Sequence, residues 1–253
     1  ASNNTVILNS GNVDMIVGGD AYSRKGNALA DSNTILVLGG NIQSVFGGSV
    51  QSNYGTASAS NNRIEVSGAV VNGSVSGGFA PQSSVPATVG NNTIIISRGA
   101  VVMQDVHGGD VTGSTEGSQA DGNILTIAEG GEVNGTVAGG WLEAAGSASH
   151  NTILVQGGTV TGDIYGGNGG AGGVAVQNSI IIAQNAQLGS GISLYGGAVG
   201  EGRPVAASGT GNTLFVDSWQ GSVSRVAGFE NIHFVLPAPG APVDIPMLTV
   251  TAA

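Results

Sequence analysis

Residues 151–167 read NTILVQGGTVTGDIYGG, and the alternation inside this stretch decides the fold. Ile153 and Val155 follow Asn151 at two and four positions. Successive side chains on a strand point to opposite sides, so Asn151, Ile153 and Val155 share one face. Ile164, two residues before the pair Gly166 and Gly167, belongs to a second short strand. The step Gly158, Thr159, Val160 supplies a small third side between them. Working outward, the same arrangement fills the chain. The opening asparagine recurs at Asn4, Asn33, Asn62, Asn92, Asn123, Asn151, Asn178 and Asn212, and glycine pairs begin at Gly18, Gly47, Gly77, Gly108, Gly139, Gly166 and Gly196. Both markers return about every 30 residues.

Two residues past each Asn stand Val6, Ile35, Ile64, Ile94, Leu125, Ile153, Ile180 and Leu214; four past stand Leu8, Val37, Val66, Ile96, Ile127, Val155, Ile182 and Val216. All are aliphatic, as is the column two before each glycine pair, from Ile16 to Leu194. No segment carries a 3.6-residue apolar period. A unit of this size cannot bury its own apolar face and must stack on its neighbours. The expectation is therefore an all-β parallel β-solenoid of about 30 residues per coil. Roughly eight coils span residues 1–216, and a capping segment spans 217–253, where Trp219, Phe229, Phe234 and four prolines gather. The asparagine column is expected to form an inward amide ladder, and the glycines to serve tight corners that need positive φ and leave no room for a Cβ. The Ala-, Ser- and Gly-rich segments after each glycine pair read as variable loops. Since the first asparagines fall at Asn3 and Asn4 with no cap before them, the sequence also reads as a fragment of something longer or as a subunit that stacks.

Composition narrows the function. Glycine makes up 46 of 253 residues, without the period of three that collagen requires. Six basic against sixteen acidic residues give a net charge of −10, which repels nucleic acid and anionic membranes. There is no cysteine, hence no disulfide or thiolate metal site. No apolar run approaches the roughly 20 residues of a membrane-spanning helix, so direct membrane insertion of this segment is not expected.

The pattern NTIxI, then GGxVxGxVYGG, then an Ala/Gly/Ser loop, resembles the passenger repeats of autotransporter proteins, the type V secretion proteins of Gram-negative bacteria. The tail FENIHFVLP followed by MLTVT is similar to the end of such passengers. The resemblance implies a right-handed parallel β-helix, exported through the outer membrane and displayed at the cell surface or released outside the cell as an adhesin or scaffold. Its partners would be a host or bacterial surface protein or glycan, with self-association possible. No protease motif of the GDSGS type is present.

Chemistry is sparse. Parallel β-helices also host glycan-cleaving enzymes, which need paired acids. Asp105 and Asp163 hold equivalent outward positions two coils apart, but no Lys or Arg joins them, and solvated surface carboxylates are the expected reading. His107, His150 and His233 do not converge by spacing, and His107 reads as an outward surface residue. The run Gly166–Gly173 lacks the repeated Asp of calcium-binding repeats, leaving Asp20, Asp110 and Asp121 as weak ligand candidates. No catalytic residue, metal or cofactor is expected. Two outward features remain. Three past each Asn stand Ile7, Leu36, Glu65, Ile95, Thr126, Leu154, Ile181 and Phe215, an apolar row that loops are expected to cover, with a docking face as the alternative. Aromatics at Tyr22, Tyr54, Phe79 and Trp141 begin or sit in loops and are the candidate contact residues. The chain is thus expected to be a non-enzymatic adhesin or scaffold. The alternatives are a glycan-active enzyme or a subunit assembling head to tail.

Overall fold

The computed structural model describes residues 1–113, 115–200, 204, 210–236 and 246–252. Among them there is no helix, and the chain winds as a β-solenoid of about eight turns whose equivalent residues lie about 29 apart. The first sheet holds nine parallel strands in chain order, from Thr5–Leu8 to Asn231–Val235. Its register stacks like on like, as in Ile153↔Ile180 and Val155↔Ile182. Fourteen of the sixteen aliphatic positions are buried, while Val6 and Leu8 of the first turn are partly so. Each fully buried side chain of this kind contributes roughly 1.5–3 kcal/mol against the entropy of ordering the chain.

Two further walls close the core. The Gly-Gly strands, such as Val106–Val111 and Val137–Leu142, bring Ile16, Val45, Val75, Val106, Val137, Ile164 and Leu194 inward. The short third side brings Ile42, Val71, Val102, Val133 and Val160 into the same core. In the first two turns the short side and the glycine strand are continuous, as Asn12–Ser23 and Gly40–Ser52.

The segments expected to be variable loops are ordered differently. They contribute a sheet of five two-residue strands: Ala28–Leu29, Ala57–Ser58, Ala87–Thr88, Ser118–Gln119 and Gly146–Ser147. A second core of alanines with Val50, Val89, Val111 and Leu142 lies under it. Alanine is a poor strand former and too small to mark a face in sequence, yet it fits where two strands must approach closely. These segments therefore do not fold over the apolar row of the first sheet. Leu36, Ile95, Leu154, Ile181 and Phe215 stay half-buried, and Ile7 is 56 % exposed.

The asparagine ladder forms. Each amide oxygen accepts from the residue one turn earlier: Asn92 N and Nδ2 donate to Asn123 Oδ1 at 3.0 and 3.1 Å, and Asn123 N and Nδ2 to Asn151 Oδ1 at 2.8 and 3.0 Å. Asn33 through Asn212 are buried and Asn4 is exposed.

The glycine pairs correct half of the expectation, because none of them has positive φ, and bear out the other half, the want of room for a Cβ. They are glycine for want of space. A Cβ on Gly108 would lie 2.4 Å from Asn123 Cβ, and one on Gly139 would lie 2.3 Å from Asn151 Cβ. The corner that does need a left-handed residue is the position before each ladder asparagine. Asn3, Ser32, Asn61, Asn91, His150 and Gln177 sit there with φ of 55–61°, alongside Gly122 and Gly211.

The C-terminal segment is more than a lid. Trp219, Val223 and Phe229 are buried against the end of the main core, and Trp219 Nε1 donates to Ala186 O at 2.9 Å. Strands Arg225–Ala227 and Asn231–Val235 then continue two of the sheets. Phe234, expected to cover the core, is instead 51 % exposed. Three of the four prolines, Pro237, Pro239 and Pro242, lie outside the described residues.

Candidate functional site

Neither glycine of a pair has its missing Cβ on the outside, since at Gly108 it would meet Asn123 and Leu125 of the main core and at Gly109 Val89 and Ala120 of the second, which breaks strand alternation and bends the backbone. The residues on either side, three apart, consequently converge on the outside. His107 Nδ1 and Asp110 Oδ2 approach to 3.3 Å across the bend of Gly108 and Gly109. Stacking the turns draws these bends into a furrow along the rod.

The furrow is aromatic over most of its length. Phe46 stacks on Phe79 with ring centroids 4.6 Å apart, and Tyr165 stacks on Tyr195 at 4.7 Å. Trp141 lies parallel to His107 at 5.5 Å and meets Tyr165 edge-on at 5.4 Å. The guanidinium of Arg225 sits 5.9 Å over Tyr195. Burial, then the charge of Asp163 and the neighbouring Tyr195, pushes the Tyr165 hydroxyl up to about 12, so it stays protonated. Between the two aromatic stacks lies a polar notch of Ser76, His107 and Asp110, where Ser76 and His107 are direct register partners.

His107 is thus not the outward surface residue expected from sequence; it is 8 % exposed. The signal was its column, which also holds Phe46, Tyr165 and Tyr195 and so could not be a freely solvated one. Burial by itself lowers the pKa of His107, but the adjacent Asp110, with Asp105 beyond it, outweighs that and raises it above 6.5. A raised folded-state pKa gives stability that is complete below about 6.5 and is lost as pH rises through the folded value. His107→Gln, which leaves Asp110 buried without its cation, is expected to cost roughly 1–3 kcal/mol at pH 5. The gap from the native chain should narrow above pH 8, as read from urea midpoints at the two pH values.

The other candidates disperse. Phe79 and Trp141 lie in strands Val75–Ala80 and Val137–Leu142, not in loops, and both line the furrow. Tyr22 and Tyr54 stand outside it, 56 % and 67 % exposed. The acids expected to be solvated are half-buried staples: Asp105 Oδ1 accepts from Thr136 N and Asp163 Oδ1 from Ser193 N, each at 2.7 Å in the following turn. Asp121 Oδ1 similarly accepts from Ser147 Oγ at 2.8 Å and Ser149 N at 2.6 Å. His150 occupies a left-handed corner, and His233 stacks on Phe215. Among the described residues no three His, Asp or Glu side chains gather into a metal-binding group.

Several clefts flank the rod, and two of them bear on the candidate site. One of about 580 Å³, lined by Glu129, Gln156, Asn185 and Asp217, is polar and lacks any aromatic wall. The other, about 650 Å³, opens beside Trp141 and Asn168 at the furrow's edge. Comparison with known proteins finds no matching family model, curated protein or solved structure.

Proposed function

We propose that this chain is a non-enzymatic adhesive or scaffolding rod, displayed outside the cell in the manner of an autotransporter passenger, with the furrow as its contact surface. One observation carries this reading. Three buried side-chain polar atoms among the described residues, Ser76 Oγ, Asp110 Oδ1 and Asn168 Oδ1, lack a hydrogen-bond partner, and His107 Nδ1 has only the Asp110 carboxylate at 3.3 Å; all four lie along the furrow. Buried polar groups are otherwise nearly always satisfied, and their concentration on one outer surface fits a place kept for contact rather than stability. Asp105 and Asp163, the pair an enzyme would use, are both engaged in holding successive turns together. The partner would be a surface protein or glycan.

The test is attachment of beads coated with the purified chain to cultured cells. Phe79→Thr with Trp141→Thr is expected to lower attachment at least tenfold while the β-sheet circular dichroism persists. Asp105→Asn with Asp163→Asn should leave attachment intact. Attachment that survives the first pair and disappears with the second would overturn the proposal.

A further inference from the structure

We infer that the cleft beside Trp141 seats a neutral sugar unit, an inference that rests on the adhesive reading and names what is held. The cleft, about 650 Å³, is lined by Trp141, Leu142, Glu143, Asn168, Ala171 and Val199, among others. Its size falls within the roughly 300–1,000 Å³ of small-molecule sites. Asn168 is 2 % exposed, and its Oδ1 has no hydrogen-bond partner. That is a buried acceptor in the wall of an open cleft, which costs stability unless something brings it a donor. Glu143 is exposed at the same cleft, and no hydrogen bond or ion pair engages its carboxylate among the described residues.

The cleft offers the acceptor oxygens of Glu143 and Asn168 together with the amide N–H groups of Asn168 and the indole of Trp141, and the rest of the wall is aliphatic surface. A ligand that fits must carry several O–H donors together with an apolar C–H face, which is the chemistry of a sugar ring. Charge narrows the class further. Among the described residues no Lys or Arg lines the cleft, Glu143 stands in it, and the chain carries −10 overall, so carboxylated, sulfated and phosphorylated sugars are disfavoured. Position adds to this. Trp141 is in register with Asp110 on one side and bridges to Asn168 on the other, so the cleft continues the furrow and a longer chain could run from one into the other.

The experiment is isothermal titration of the full chain with maltotriose, cellotriose, mannotriose and chitotriose, and with trigalacturonate as the anionic comparison. At least one neutral trisaccharide is expected to bind with Kd below about 1 mM, equivalent to about −4 kcal/mol. Asn168→Ala and, separately, Glu143→Ala should each weaken that binding at least tenfold, and trigalacturonate should not bind. Glu143 is exposed, so its replacement tests the site even if Asn168→Ala does not fold. Absence of binding by all four neutral sugars at about 10 mM, indifference to Glu143→Ala, or tighter binding of trigalacturonate would each overturn the inference. Bead attachment that depends on Phe79 and Trp141 without any saccharide binding would sink the sugar site alone. Saccharide binding without attachment would sink the adhesive reading alone.

Discussion

Gly139→Ala is expected to cost about 3 kcal/mol or more, whereas Gly99→Ala should cost roughly 1 kcal/mol. The two glycines differ in why they are glycine. Gly139 has ordinary backbone angles, but a Cβ there would fall 2.3 Å from Asn151 Cβ and 2.3 Å from the carbonyl oxygen of Gly166. Neither neighbour is the loose end of a flexible side chain; one is the root of a ladder asparagine and the other is backbone. Relief would require moving a whole turn. Gly99 has φ of 79° and nothing within 4 Å of its missing Cβ, so alanine there meets only conformational strain. Urea unfolding of both variants checks this. Equal, mild shifts in midpoint would mean that the glycine pairs do not pack against the ladder.

Asn123→Ala is the second large effect, about 2–6 kcal/mol. Asn123 Oδ1 is the acceptor for both Asn92 N and Asn92 Nδ2, and Asn92 is fully buried. Removing it strands the Asn92 backbone N–H and one of the two Nδ2 N–H groups where water does not reach, at about 1–3 kcal/mol each, while the other keeps Ala59 O at 3.3 Å. Asn4→Ala provides the comparison, since Asn4 is exposed and its side chain makes one bond, from Nδ2 to Asn33 Oδ1 at 2.9 Å. It should cost under about 1 kcal/mol. Thermal and urea melts of the two variants should differ clearly, and similar losses would argue that the ladder is ornamental.

Much of the rod was legible in the sequence because a period of two inside the strands and a repeat of about 30 residues leave little freedom. Ile153, Val155 and Ile164 could only point to one axis, and Asn151 had to join them. The errors came where a residue type has two physical uses. The glycine pairs are close-contact residues, as the want of room for a Cβ implies, but they are not the left-handed corners, which go to positions such as Ser32, His150 and Gln177. That position did leave a trace, since across the eight turns it holds only Asn, Ser, His, Gln and Gly, with no β-branched side chain. Alanines such as Ala57 and Ala87 hid a sheet because they signal no face. The furrow was half visible. Phe79 and Trp141 were singled out, but that they meet Ser76, His107 and Asn168 depends on a bend that spacing alone does not reveal.

The ladder gives the rod unequal ends. From Asn4 to Asn151 each rung passes two N–H donors toward the C-terminal side, Asn178 passes its backbone N–H alone, and the rung that receives them offers one oxygen toward the N-terminal side. Peeling away the turn on the C-terminal side of any rung leaves orphaned N–H groups; peeling away the turn on the other side leaves only an oxygen with spare lone pairs, which proteins tolerate more readily. Fraying is therefore cheaper from the first turn than from the last, and a nascent rod is held most firmly at the end that completes its donors.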